Sequence, residues 1–284
     1  MFIKMLVCTD LSPASDDLIL CAEELKSIGM EEVILAHVIY VASTPGLEEM
    51  LAAEARPVLE RQRKILEAQG VKVTVEMPFG LPAHTLNEMA EKHDVSLILI
   101  GSYDKGILQA ATIGSVSAEL LHQTRRPLLL SRITLLEKGK SEIVCRKLFV
   151  RVLFPTDFSE TAERALDYLG KIALETGCQV TVMHVISERD ADPVAAQRRE
   201  EGARYLLEAK KRRLKTLGAA EVTIDLVHGK PGAEILGRTK EGDFSIIVMG
   251  GQGKGFLEEV FLGSVSNEVA RHAGVPLLLV PAPG

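Results

Sequence analysis

The densest chemistry in the chain lies between Met249 and Glu268. Met249-Gly250-Gly251-Gln252-Gly253-Lys254-Gly255 leaves an apolar run with four glycines in six residues, and Gly263-Ser264-Val265-Ser266-Asn267-Glu268 follows where a helical pattern begins. Glycines let backbone N–H groups approach an anion closely. The first N–H groups of a helix, together with its dipole, favour negative charge. Ser264 and Ser266 add hydroxyl donors, and Lys230 and Lys254 are cations able to neutralise phosphate. The segment is a phosphate cradle by these criteria. It contains no G-x-x-x-x-G-K-[ST] loop and no G-x-G-x-x-G turn after a strand, so it is neither a P-loop nor a dinucleotide fingerprint. It reads G-x2-G-x9-G-S through Gly250, Gly253, Gly263 and Ser264.

The same grammar occurs earlier. Gly101-Ser102-Tyr103-Asp104 is followed, nine residues on, by Gly114-Ser115-Val116-Ser117, with Asp104 where the second glycine is expected. A carboxylate there opposes phosphate by roughly 1–4 kcal/mol at a few Å, depending on the effective dielectric. The first loop is therefore expected to hold a triphosphate weakly or not at all, while adenosine or AMP remains compatible with it.

These loops belong to a duplicated unit. Leu6–Ser12 matches Leu153–Ser159, Ala36–Ile39 matches Met183–Ile186, Ser96–Gly101 matches Ser245–Gly250, and Pro127–Leu130 matches Pro276–Leu279, in the same order. The offset is 147 for the first two pairs (157 less 10) and 149 for the last two (250 less 101). Within the first copy, apolar runs at 3–8, 33–39, 71–77, 97–100 and 128–130 alternate with helical patterns at 13–28, 46–69, 83–92 and 115–123. Runs that are apolar throughout read as strands buried on both faces, the mark of a parallel sheet. The alternation predicts an α/β fold: two tandem doubly wound five-stranded parallel-sheet domains, residues 1–137 and 148–284, joined by a charged linker within 132–147. Ser12-Pro13 and Ser159 are helix N-caps by type. Ligands of such sheets bind beyond the carboxyl ends of the strands, where the strand order reverses. That edge carries Thr9-Asp10 and Thr156-Asp157, and Asp suits both a ligand contact and a helix cap there.

Composition narrows the classes. Over 284 residues the net charge is −6, aromatics are 4% and Trp is absent, which disfavours nucleic acid as a partner. No apolar run approaches the length of a membrane span. Cys8, Cys21, Cys145 and Cys178 form no metal-ligand spacing, and a reduced cytoplasmic setting is expected. His37 and His184, at strand ends, read as core residues, and His228 as a surface residue. Lys210-Lys211-Arg212-Arg213, with Glu200, Glu201 and Glu208 nearby, reads as a solvated helix face.

Gly250, Gly253, Gly263 and Ser264 at this spacing, after a βαβ series opening on a strand that ends in Thr-Asp, resemble the ATP-binding branch of the universal stress protein family, in both copies. The resemblance implies an adenine-nucleotide-binding stress-response or regulatory protein, with ATP or AMP as ligand and Mg²⁺ accompanying ATP. Asp157 would contact adenine, with Pro155 and Thr156 beside it, and Val185 would pack on the adenosine. Met249, Gly250 and Gly253 would line ribose and phosphates, and Gly263, Ser264, Val265 and Ser266 would hold the phosphates. Thr9, Asp10, Val38, Gly101, Gly114, Ser115, Val116 and Ser117 would form a weaker second site. No catalytic residue and no metal-ligand set are expected: the loop has neither paired carboxylates nor a general base, so efficient hydrolysis is not indicated. A slow ATPase and a dimerisation module with a vestigial site are the alternatives. In the family the closing strand pairs across a two-fold, which implies a homo-oligomer or an intrachain pseudo-dimer.

Overall fold

The computed structural model describes residues 2–41, 46–104, 113–135, 141–143, 147–187, 192–253 and 262–282. The chain divides into two units, Met1–Arg146 and Lys147–Gly284.

The first unit runs β1 (Lys4–Cys8), α1 (Pro13–Leu25), β2 (Glu32–Ala36), α2 (Leu47–Ala68), β3 (Lys72–Glu76), α3 (Pro82–Lys92), β4 (Leu97–Asp104), α4 (Ser115–Gln123), β5 (Leu128–Leu135) and β6 (Ser141–Ile143). The second runs β7 (Arg151–Pro155), α5 (Glu160–Thr176), β8 (Gln179–Ile186), α6 (Pro193–Thr216), β9 (Glu221–His228), α7 (Pro231–Glu241), β10 (Ile246–Gly250), α8 (Ser264–His272) and β11 (Leu277–Val280). The strand orders are β3-β2-β1-β4-β5 and β9-β8-β7-β10-β11, and every pairing along both paths is parallel. In register, Leu6 faces Ile34 on one side and Ile98 on the other, and Leu153 faces Thr181 and Ile247. The chain leaves each first strand to one side and later returns to its other side. The order therefore reverses between β1 and β4, and again between β7 and β10.

Burial follows from this topology. Val152, Leu153, Phe154, Ile246, Ile247 and Val248 are all completely buried, consecutive residues that point to opposite faces. Helices must therefore cover both sides. α5 supplies one cover through Ala162, Ala165, Leu166, Leu169, Ile172 and Ala173, a helical stripe in which each large side chain contributes about 2 kcal/mol of apolar burial. Its start is fixed by Ser159, whose hydroxyl accepts from Ala162 N at 3.3 Å, as Ser12 accepts from Ser15 N at 3.3 Å in α1.

Three sequence expectations change. The first unit carries more than five strands: β5 continues to Leu135, and β6 pairs antiparallel with it (Ile133 with Ile143, Leu135 with Ser141) inside the stretch read as linker. Short, charged segments give little period-2 signal, so β6 was illegible. The basic run of α6 is not wholly solvated. Lys210 is buried, paired with Glu163 and set 5.6 Å over the Phe158 ring, while Arg213 reaches Asp167 at 2.5 Å. The first unit solves the same position with buried Gln62, which donates to Asp16 Oδ1 at 2.9 Å. Finally, the cysteines are not all reduced: Cys21 is disulfide-bonded, which its spacing does not reveal. Cys145 lies outside the described residues. Cys8 and Cys178 are buried free thiols, and burial pushes Cys8 up to about 12.

Candidate functional site

At the carboxyl end of β7 the chain turns sharply into α5. Thr156 N donates to Met183 O at 2.8 Å, holding the strand end against β8. Phe158 then adopts φ 62, a left-handed conformation that a bulky residue takes only when its surroundings enforce it. Two side chains do so: Thr156 Oγ1 accepts from Phe158 N at 3.1 Å and Asp157 Oδ1 from Ser159 N at 3.0 Å. The Thr156 carbonyl meets His184 Nδ1 at 2.7 Å, and the His184 ring lies 4.4 Å from that of Phe158. His184 is thus a braced strand-end residue, but it is half-buried and lines the cleft instead of sitting in the core as its position suggested. His37 repeats the contact to Thr9 O at 2.9 Å.

At the end of β10, glycine is required by packing. A Cβ on Gly250 would lie 3.0 Å from the Thr161 carbonyl carbon and 3.1 Å from Ala162 N, so α5 sits directly against this strand. A Cβ on Gly253 would lie 2.7 Å from Asp157 Oδ2, which places the Asp157 carboxylate beside the glycine loop as well as over the α5 start. The loop is tied at both ends: Gly251 N donates to Val280 O at 2.8 Å, and Gly263 N to Gly251 O at 2.7 Å.

α8 then begins at Ser264 with Gly263 as N-cap and no side-chain cap, whereas α5 and α6 are capped by Ser159 and Asp192. Its opening N–H groups face the cleft wall formed by Ser264, Val265 and Ser266. One expected donor is committed elsewhere. The Ser266 hydroxyl donates to Gly250 O at 2.9 Å in a buried contact, as Ser117 donates to Gly101 O at 3.0 Å. Ser266 anchors the loop to α8, and Ser264 is left as the exposed hydroxyl.

Together these segments enclose a cleft of about 580 Å³. Pro155, Thr156, Asp157, Val185, Met249, Gly250, Gly253, Gly263, Ser264, Val265 and Ser266 all line it. Sequence reading missed Arg199 from α6 and Ile235 from α7, neither of which belongs to a motif, and gave no role to Gln252, an unspecified position within the glycine loop. Lys230 is exposed at the start of α7 and is not among the lining residues, and Lys254 lies outside the described residues. His228 is exposed, 3.9 Å from Glu200.

The first unit has a smaller cleft of about 250 Å³, lined by Thr9, Asp10, Val38, Gly101, Gly114, Ser115, Val116 and Ser117 among others. Its turn is built alike, with Leu11 at φ 64. Asp10 differs in company. Its Oδ1 accepts from Ser12 N at 3.0 Å and also from the Ser15 hydroxyl, where the second unit has Ala162. The Asp104 side chain lies outside the described part.

The sequence of both units is matched by a family profile. The profile described as the universal stress protein family covers residues 1–132 and again 149–281. The chain belongs to the universal stress protein family. A universal stress protein of Mycolicibacterium smegmatis is 26% identical over 298 residues, spanning 97% of this chain and 96% of that one. A universal stress protein of Methanocaldococcus jannaschii is 31% identical over 155 residues, 47% of this chain and 95% of its own length. The crystal structure of a universal stress protein from Archaeoglobus fulgidus superposes with a TM-score of 0.75 at 28% identity, covering 99% of this chain and 98% of that one. Among the described residues no helix is long and apolar enough to cross a membrane.

Proposed function

We propose that the second unit binds an adenine nucleotide, ATP or AMP, and that the protein is a cytoplasmic stress-response regulator that does not turn the nucleotide over efficiently. The observation that carries this reading is the convergence of the glycine loop, the open start of α8 and Asp157 on one cleft of about 580 Å³. That volume is in the range of small-molecule sites. The residues fit the ligand. Gly253 leaves room that a Cβ would take from Asp157, and the uncapped α8 terminus presents N–H groups where phosphate oxygens would be received. Asp157 and Val185 would hold the adenosine, with Mg²⁺ accompanying a triphosphate. Asp157 is engaged with the Ser159 backbone and His184 with the Thr156 carbonyl, an arrangement of supports rather than of a general base aimed at a nucleophile. The first unit is a weaker second site.

Titration of ATP and AMP with Mg²⁺, paired with a phosphate-release assay, tests the reading. Saturable binding without sustained release is expected. Steady release abolished by Ser264→Ala would make the protein a slow ATPase, and neither binding nor release would leave a structural module.

A further inference from the structure

The two clefts of this chain differ in charge at corresponding positions. α2 buries Ala55, Leu59, Gln62 and Leu66, and α6 buries Ala203, Leu207, Lys210 and Leu214, each 148 residues later (203 less 55). In this register Arg199 corresponds to Leu51 of the first unit. Arg199 lines the second cleft from the first turns of α6 and is the one permanent cation among the described lining residues. Its neighbours three and four positions away are Ala195, Ala196, Gly202 and Ala203, small side chains that leave its stem room to lie toward the cleft.

The adjoining edge changes in the same sense. Ile39 bridges Phe79 in the first unit as Ile186 pairs His228 in the second. Tyr40, Phe79 and Leu81, each more than half exposed, stand where the second unit has Ser187, His228 and Lys230. Arg199 and Ser187 line the second cleft, whereas their counterparts Leu51 and Tyr40 are not among the residues lining the first.

We propose that Arg199 is the side chain that makes the second cleft select phosphate-bearing ligands; no Lys or Arg is among the described residues lining the first cleft. The inference rests on the reading of the second cleft as a nucleotide site. A guanidinium is permanently charged and offers five donors in a planar fork suited to phosphate oxygens, so it serves a phosphate even while holding a bond to the protein. Hydrogen bonds to charged groups are worth on the order of tenfold to a hundredfold in affinity.

The test is calorimetric titration of ATP, AMP and adenosine into the full chain and into Arg199→Leu, which copies the first unit, and Arg199→Lys. The substituted side chain is exposed, and retained adenosine binding that slows hydrogen exchange in segments 155–157 and 249–253 reports that the second cleft is intact. The expected result is about tenfold or greater loss for ATP and AMP in Arg199→Leu, adenosine within about twofold of wild type, and partial recovery in Arg199→Lys. Equal loss for all three ligands would mean that Arg199 stacks on the nucleoside, and no loss would mean that it only lines the surface; either overturns the assignment while leaving the nucleotide site standing. Failure of the unaltered chain to bind any of the three overturns both.

Discussion

Ser266, Gly250 and Asp157 show how a cleft-lining residue is also a part of the fold. The Ser266 hydroxyl closes on the Gly250 carbonyl at 2.9 Å in a buried contact, so Ser266→Ala leaves an acceptor without that donor. A loss of about 1–2 kcal/mol is expected, read as a lower urea midpoint with unchanged m-value. Gly250→Ala is predicted to cost about 1–3 kcal/mol, because its new Cβ meets the Thr161–Ala162 backbone rather than a movable side-chain tip. Cys8 carries a pH prediction. Burial raises its thiol from an ordinary 9.0 to about 12, so the unfolded chain loses that proton first as pH rises. The contribution is intact below about 9 and declines from there towards 12, so stability falls with pH across that window. Urea midpoints measured at rising pH across it should fall less steeply in Cys8→Ala than in wild type.

Elements carry a different kind of constraint, seen best where the two units solve one problem twice. α6 buries Lys210 against Glu163 where α2 buries Gln62 against Asp16. Lys210→Gln should therefore be tolerated within about 1 kcal/mol, whereas Lys210→Ala leaves the Glu163 carboxylate without its buried partner and should cost about 2 kcal/mol, less than for a fully buried pair because Glu163 is 39% exposed. Thermal denaturation of both variants separates these outcomes. The strands around Leu6, Ile98, Leu153 and Ile247 were legible because unbroken apolar runs between helical periods have few other structural uses. The motif residues of both clefts were legible because glycine, serine and aspartate recur at fixed spacing in two copies. What escaped notice lacked such a signal. Arg199 and Ile235 sit on ordinary helix positions, and only the folded geometry brings them to the cleft. Lys210 looked solvated because its neighbours are charged, yet one helical position in that run faces inward. β6 is three residues long, and its pairing with β5 is an outcome of tertiary structure.

Across the chain, two units of one fold carry clefts of about 580 Å³ and 250 Å³, and the triphosphate is proposed to bind in the larger. A ligand that binds only the second unit stabilises it by about 2.7 kcal/mol at a hundredfold excess over Kd. Hydrogen exchange with ATP should then slow in the segments 155–157, 249–253 and 263–266 and stay unchanged in 113–117. The most direct measurement is the stoichiometry and affinity of ATP for the full chain and for Gly253→Asp, which copies Asp104 into the second loop beside the Asp157 carboxylate, 2.7 Å from the position a Cβ would take. One ATP per chain is expected, at the second unit, with binding weakened by at least about tenfold in the variant through the added like charge. Equal ATP binding by the two proteins, or none by either, would contradict this expectation.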